Sequence, residues 1–263
     1  MIDTHAHLYD VHFQEDMPFH IKEIQDAGVT EVWLPNCDLE SWTDLKKLST
    51  AYPDFVLPMI GLHPTYVKEN YLEELAALKA ELAHAKVVAI GEIGLDLFIP
   101  ELKSGSLRAR QDYFYVEQLK LAREFDLPVL LHVRRSQDTL LKYLRRHRVR
   151  GGIAHAFNGS LQQAHQFVDM GFALGIGGAM TFERALQIRR LATELELSAL
   201  VLETDAPDIS PAWLEKGSRN EPQQVLQIAR ALAELRGCPV AEILKGTARA
   251  AQRVCPGLAI VAL

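Results

Sequence analysis

A parallel (β/α)8 TIM-type barrel with extra C-terminal helices is the architecture this sequence predicts. Three observations carry that expectation. Eight short runs rich in Val, Ile and Leu recur near residues 1–8, 31–37, 56–63, 87–95, 128–133, 151–157, 171–177 and 199–205, and runs of this length and composition read as buried strands. Amphipathic stretches of helical period lie between them, and strands alternating with helices form parallel sheets. Eight strands within about 205 residues fit a closed barrel better than an open doubly wound sheet.

Six of the eight runs end on chemistry. The first carries His5 and His7, two residues apart, and such residues share one face of a strand. The third closes on His63 before Pro64. Residues 71–83 then repeat apolar positions at three and four, a helix. In the fourth run Glu92 follows Val87-Val88-Ala89-Ile90-Gly91, and residues 96–106 read as a longer loop over the same end of the barrel. A helix over 108–125 leads to the fifth run, where His132 follows Val129-Leu130-Leu131. His155 follows Gly152-Ile153-Ala154 in the sixth, and Asp205 ends the eighth after Leu200-Val201-Leu202-Glu203-Thr204. Helices over 219–236 and 240–254 complete the chain. With no repeat, low-complexity tract or linker, residues 1–263 are expected to form one domain.

Composition bounds the function. The 263 residues are 48% hydrophobic and 24% charged, enough to bury a full core and typical of a globular protein. No apolar run reaches the roughly 18–20 residues of a membrane span, and no signal segment precedes the first strand, so a cytoplasmic address is expected. Cys37, Cys238 and Cys255 are odd in number and far apart, which argues against disulfides and thiolate zinc sites. A net charge of −6 argues against a bulk cationic nucleic-acid binder. The one basic cluster, residues 142–150, reads as the solvated face and cationic end of a helix.

In a parallel barrel the C-terminal ends of all strands open onto one face. His5, His7, Glu92, His132, His155 and Asp205 therefore converge there as metal ligands. Six donors exceed one tetrahedral ion, which takes about three protein ligands. Two ions roughly 3.5–4 Å apart would use them all. Glu92, near the centre of the ring, is the expected bridge. His5, His7 and Asp205 are assigned to one ion, His132 and His155 to the other. Nitrogen and oxygen donors without sulfur leave Mg²⁺, Mn²⁺ and Zn²⁺ open.

The motifs Asp3-Thr4-His5-Ala6-His7-Leu8, Gly61-Leu62-His63-Pro64, Ala89-Ile90-Gly91-Glu92-Ile93-Gly94-Leu95-Asp96, Leu131-His132-Val133-Arg134, His155-Ala156-Phe157-Asn158-Gly159-Ser160, Leu202-Glu203-Thr204-Asp205-Ala206-Pro207 and Arg219-Asn220-Glu221-Pro222 run in order along essentially the whole chain. Together they resemble the TatD-type metal-dependent deoxyribonucleases of the amidohydrolase-like barrels, and within them a YjjV-like branch. The resemblance implies a binuclear metal site and phosphodiester hydrolysis, with DNA trimmed from the 3′ end of single strands. It places the metal-ligand roles on the same six residues. Val133, Ala156 and Leu97-Phe98 depart from the usual family pattern, at positions that bear on substrate fit.

Hydrolysis then needs an activated water, and a water or hydroxide shared by the ions is the expected nucleophile. Glu92 and Asp205 are the candidate catalytic carboxylates, Asp205 as proton acceptor or as ligand only. Four residues are candidates for the substrate: His63 and Arg134 for its phosphate, and Arg219 with Asn220 at the start of a helix. Each has a structural alternative: a turn histidine, an ion pair of Arg134 with Asp96 or Glu203, and a helix cap by Asn220. Glu203 shares the face of Asp205 and reads either as an acceptor orienting a ligand histidine or as an interior polar residue. Asp96 reads as a loop-fixing carboxylate. Single-stranded or end-exposed DNA is the expected substrate of a monomer with no obligate protein partner. The alternative is a small-molecule amide, lactone or cyclic-phosphate hydrolase, which an apolar pocket of Phe98, Phe157 and Trp213 would favour. A third reading is a barrel that binds metal without catalysis.

Overall fold

The computed structural model describes residues 1–67 and 71–256; residues 257–263 of the expected domain lie outside the described ones. Its strands are β1 (Ile2–Asp3), β2 (Glu31–Pro35), β3 (Val56–Ile60), β4 (Ala89–Asp96), β5 (Val129–Arg134), β6 (Gly152–Ala154), β7 (Phe172–Ile176) and β8 (Leu200–Leu202). They pair in sequence order, every neighbouring pair parallel. The remaining seam is closed by an Ala6–Ala206 bridge, with Thr4 N donating to Leu202 O at 3.0 Å and His7 N to Ala206 O at 2.7 Å. This is the TIM-type barrel that the alternation predicts.

The first strand is shorter than its apolar pattern suggests. Asp3 Oδ1 accepts from His5 N at 3.2 Å and from Thr204 N at 3.0 Å, while Oδ2 takes the Thr204 hydroxyl at 2.6 Å. A side chain thus occupies amides that regular pairing would use. His5 and His7 consequently stand just past the strand, on an extended segment.

The helices are α1 (Met17–Asp26), α2 (Leu39–Ala51), α3 (Tyr71–Leu82), α4 (Gly105–Glu124), α5 (Gln137–Arg146), α6 (Leu161–Asp169), α7 (Leu186–Glu194), α8 (Val225–Arg236) and α9 (Val240–Val254). Asp38 with Ser41 and Ser160 with Gln163 form capping boxes that start α2 and α6. On α5, Leu140, Leu141 and Leu144 are buried while Lys142, Arg145 and Arg146 face out, the expected solvated face. One expectation fails at α8. It starts at Val225 after a 3-10 turn over Pro222–Gln224, so Arg219 and Asn220 do not open a helix. Pro222 at the head of that turn removes a backbone donor there, and Asn220 is drawn into loop bonding instead.

The barrel interior is layered by strand parity. Trp33, Met59, Ala89, Leu130, Ile153, Ala173 and Val201 point inward and form one apolar cluster with Ala250, Ala251 and Val254 of α9 and with Cys255 just past it. The last helix therefore plugs the bottom of the barrel. Two residues further along their strands, Leu130, Ile153 and Val201 give way to His132, His155 and Glu203. An apolar floor thus carries a polar upper layer at the C-terminal mouth. Among the described residues, no helix is long and apolar enough to cross a membrane.

Candidate metal centre

Strand alternation alone would turn Glu92 away from the mouth, because Ala89 already faces inward. The register between β4 and β5 slips between Ile90 and Ile93, where three steps on β4 match two on β5. The bulge rotates Glu92 into the barrel, a use of bulges that recurs beside active sites. Gly94 permits it: with φ at 142°, a Cβ there would strike the His132 carbonyl. Non-glycine residues with left-handed backbone lie in the segments that follow three other strands, at Arg135 (φ 56°), Ala156 (φ 43°) and Asp205 (φ 59°). Each such residue costs on the order of 1–3 kcal/mol and such outliers cluster at functional sites.

These elements bring the expected donors together. His5 Nε2 lies 3.0 Å from His7 Nε2, 3.2 Å from Asp205 Oδ1 and 3.3 Å from Glu92 Oε2. His7 and His155 present Nε2 to the same Asp205 oxygen at 3.5 and 3.7 Å. On the other side of Glu92, Oε1 lies 2.7 Å from His132 Nδ1 and 3.5 Å from His63 Nε2. Three compact donor groups result: His5, His7 and Glu92; His63, Glu92 and His132; and His5, His155 and Glu203. His132 groups with His63 where pairing with His155 was expected.

Hydrogen bonding fixes the state of the rings. The Tyr9 hydroxyl donates to Pro35 O at 2.8 Å, so at 2.9 Å it accepts from His7 Nδ1. His7 therefore donates from Nδ1, which turns its Nε2 toward His5 and the Asp205 carboxylate. Imidazole nitrogens and carboxylate oxygens converging at such distances are brought together well by a shared cation, so the residues fit a divalent ion there. His63 is in the opposite state. Thr65 N donates to its Nδ1 at 3.2 Å, which leaves the proton on Nε2 and makes His63 a donor into the mouth. Glu203 stands 3.2 Å from His155 Nδ1 and accepts from Ala156 N at 2.7 Å. Asp96 is tied more widely than expected: Oδ1 accepts from Phe98 N and Ile99 N at 2.8 and 3.1 Å, and Oδ2 meets His132 Nε2 at 3.2 Å.

Charge follows from these contacts. Burial pushes Asp205 upward, but the imidazoles of His155, His7 and His5 outweigh it and hold the carboxyl at about 2. Burial opposes charge on His155 too, yet Glu203, Asp205 and Glu92 raise it to about 10. Glu92 is likewise held well below the usual carboxylate range against its burial, through His63, His5 and His132. His5 goes the other way, lowered by burial and by the neighbouring His155. Asp3, fully enclosed, is pushed by burial to about 8 despite its three donors.

The centre floors a cleft of about 950 Å³ whose walls include His7, His63, Glu92, His132, His155 and Asp205, with Phe98, Arg134 and Arg135 on its rim. Arg134 is half exposed, with Nη1 3.4 Å from Asp96 Oδ2, the weak ion pair weighed as its alternative. Arg219 and Asn220 lie elsewhere. Arg219 pairs with Glu221, donates to His12 O at 2.6 Å and stacks on Phe13. Asn220 is buried and donates to Thr204 O at 2.8 Å and Asp208 O at 2.9 Å, a staple for the loop after β8. Tyr9, bonded to His7, and Arg135, on the cleft wall, are site residues that the sequence reading does not name. Tyr9 was discoverable, since it continues the i, i+2 series of His5 and His7.

A closed parallel barrel with imidazoles and carboxylates gathered at its C-terminal mouth defines a metal-dependent hydrolase. The sequence profile of the TatD related DNase family matches residues 2–256, and the chain belongs to that family. A relative from Escherichia coli (strain K12), named as the uncharacterized metal-dependent hydrolase YjjV, is 40% identical over 247 residues, 92% of each chain. The crystal structure of YjjV superposes with a TM-score of 0.91 at 37% identity, covering 97% of this chain and 98% of that one. A protein from Pantoea vagans (strain C9-1) named as the 3′-5′ ssDNA/RNA exonuclease TatD is 30% identical over 243 residues, 90% of this chain and 92% of its own.

Proposed function

We propose that this hydrolase cleaves phosphodiester bonds in single-stranded or end-exposed DNA, releasing nucleotides from the 3′ end. The observation that carries the reading is the position of Glu92. Its two oxygens face two separate imidazole sets, Oε2 toward His5 and Oε1 toward His132 and His63. That disposition suits a carboxylate shared by two divalent ions, Mg²⁺, Mn²⁺ or Zn²⁺. His5, His7 and Asp205 would hold one and His132 would serve the other, while His155 presents Nε2 to Asp205 on the side of the first. When bound, such ions supply Lewis acidity and lower the pKa of a coordinated water.

The chain's own groups complete the hydrolysis. Asp205, ionised at neutral pH, accepts the proton of the attacking water at a carboxylate oxygen. The P–O3′ bond breaks, and the departing 3′ oxygen takes a proton from solvent water. The products are a 5′-mononucleotide and a strand shortened by one residue. A cleft with two arginines on its rim suits a phosphodiester chain. An apolar small-molecule pocket finds less support: Phe157 is buried in the core at 1% exposure, and Trp213 bonds Gln224 away from the cleft walls. The three cysteines are free, in keeping with a reducing cytoplasmic setting, and the chain is taken to act as a monomer.

The test is metal-stripped protein offered an end-labelled single-stranded oligonucleotide with Mg²⁺, Mn²⁺ or Zn²⁺ restored. Stepwise shortening that requires metal and vanishes in Glu92→Gln is the expected result. A protein that binds two ions and cleaves nothing under any of them would move the substrate to a small ester or amide.

A further inference from the structure

The rim of the cleft holds an exposed aromatic ring in contact with two guanidinium groups. Phe98 is 43% exposed, with Arg134 Cζ 4.1 Å and Arg135 Cζ 4.7 Å from its ring centroid. All three line the same cleft as the metal donors. Arg135 has no carboxylate within ion-pair distance among the described residues, although the chain as a whole is acidic, with a net charge of −6. Its left-handed backbone, φ 56°, is the turn that ends β5 beside the cleft. An exposed phenyl ring and an exposed guanidinium without a carboxylate partner stand side by side at the mouth of the hydrolytic centre. They are complementary to a ligand that is planar on one side and anionic on the other.

The platform is also registered to the chemistry. Asp96 Oδ1 accepts from Phe98 N at 2.8 Å, and Oδ2 of the same carboxylate meets His132 Nε2 at 3.2 Å and Arg134 Nη1 at 3.4 Å. One buried side chain thus sets the position of the ring, one rim arginine and a metal-donor imidazole together.

We infer that Phe98 and Arg135 form a nucleotide subsite: the base of an unpaired nucleotide next to the scissile bond stacks on Phe98, and its phosphate is held by Arg135. Every base has a π-face, so such a platform tolerates sequence but demands that the nucleotide be unstacked and unpaired. The subsite rests on the nuclease reading and adds to it a reason for strand-end selectivity. Acidic side chains on the cleft, Asp205 and Asp208, give a wall of the same charge as a phosphate. The cationic rim therefore sets the side on which the substrate backbone enters.

The experiment compares kcat/KM for two single-stranded oligonucleotides, one intact and one abasic at the nucleotide next to the scissile bond, with metal-loaded protein. The wild type is expected to favour the intact strand by about 5- to 150-fold, the range of base–aromatic stacking. Phe98→Ala should collapse that ratio toward one, and Phe98→Trp should restore it. Arg135→Gln should flatten the dependence of log KM on log salt by about 0.7, the loss of one phosphate contact. A metal-bound, folded Phe98→Ala that keeps the full preference overturns the subsite while leaving the nuclease reading intact. Failure of the wild type to cleave either oligonucleotide overturns both.

Discussion

At the residue scale the informative feature is how few protonation states the centre allows. Tyr9 is committed to Pro35 O, and that bond fixes the proton of His7 on Nδ1. Removing the hydroxyl frees the ring to take the wrong tautomer or to rotate. Tyr9→Phe should therefore weaken metal binding by about 10- to 100-fold while leaving the fold unchanged, as loss of an outer hydrogen-bond partner commonly does. Calorimetric titration of stripped protein reads this directly, and an unchanged affinity would mean that packing alone orients His7. A second expectation concerns pH. Ligand imidazoles must be neutral, yet Glu203 and Asp205 hold His155 protonated up to about 10 in the metal-free chain, against its burial. Metal uptake must expel that proton. Apparent affinity should rise about tenfold per pH unit between pH 7 and 9, with proton release visible in buffers of differing ionisation enthalpy. The sign follows for stability too. In stripped protein the contribution of His155 is full below its ordinary 6.5 and is lost as pH climbs through about 10.

At the scale of elements, what could be read in advance and what could not divide along physical lines. Period-two and period-3.6 patterning is local, so eight strands, the intervening helices and the strand-end placement of His132, His155 and Asp205 were legible. The bulge at Gly91 and Glu92 was not, because it depends on pairing between β4 and β5. Neither was the shortness of β1, which follows from the Asp3 carboxylate bonding to Thr204, 201 residues away. Arg219 with Asn220 read as the opening of a helix; besides Glu221, the partners of Arg219 are Phe13 and the His12 carbonyl, the latter 207 residues away in sequence. Glu203 lies between these cases. Its strand face was readable, but the space it needs is made by Gly175 on β7, where a Cβ would collide with the carboxylate. Gly175→Ala should thus cost about 1–3 kcal/mol of stability through overpacking. It should also weaken metal retention by displacing the partner of His155. A stable variant with unaltered metal content would show that Glu203 does not hold that ring.

For the whole molecule, an acidic chain with a small cationic rim implies modest electrostatic dependence. If Arg134 and Arg135 are the phosphate contacts, two contacts on a single strand give a slope near −1.4 for log affinity against log salt. Raising salt from 50 to 200 mM should then lower kcat/KM by only about sevenfold, and a fall of several hundredfold would demand a cationic surface elsewhere. The closure of the barrel has a temporal consequence. His5 and Asp205 meet across the seam that joins the first residues to the eighth strand, and α9 then seals the floor beneath them. During synthesis at about 5–20 residues per second, the two histidines wait roughly 10–40 s for their partner to emerge. Throughout that interval Asp3 has no Thr204 to bind, and the first strand has one neighbour at most. The metal-binding face is among the last parts of the protein to exist, so a truncated or stalled chain should be a poor metal trap as well as an inactive enzyme.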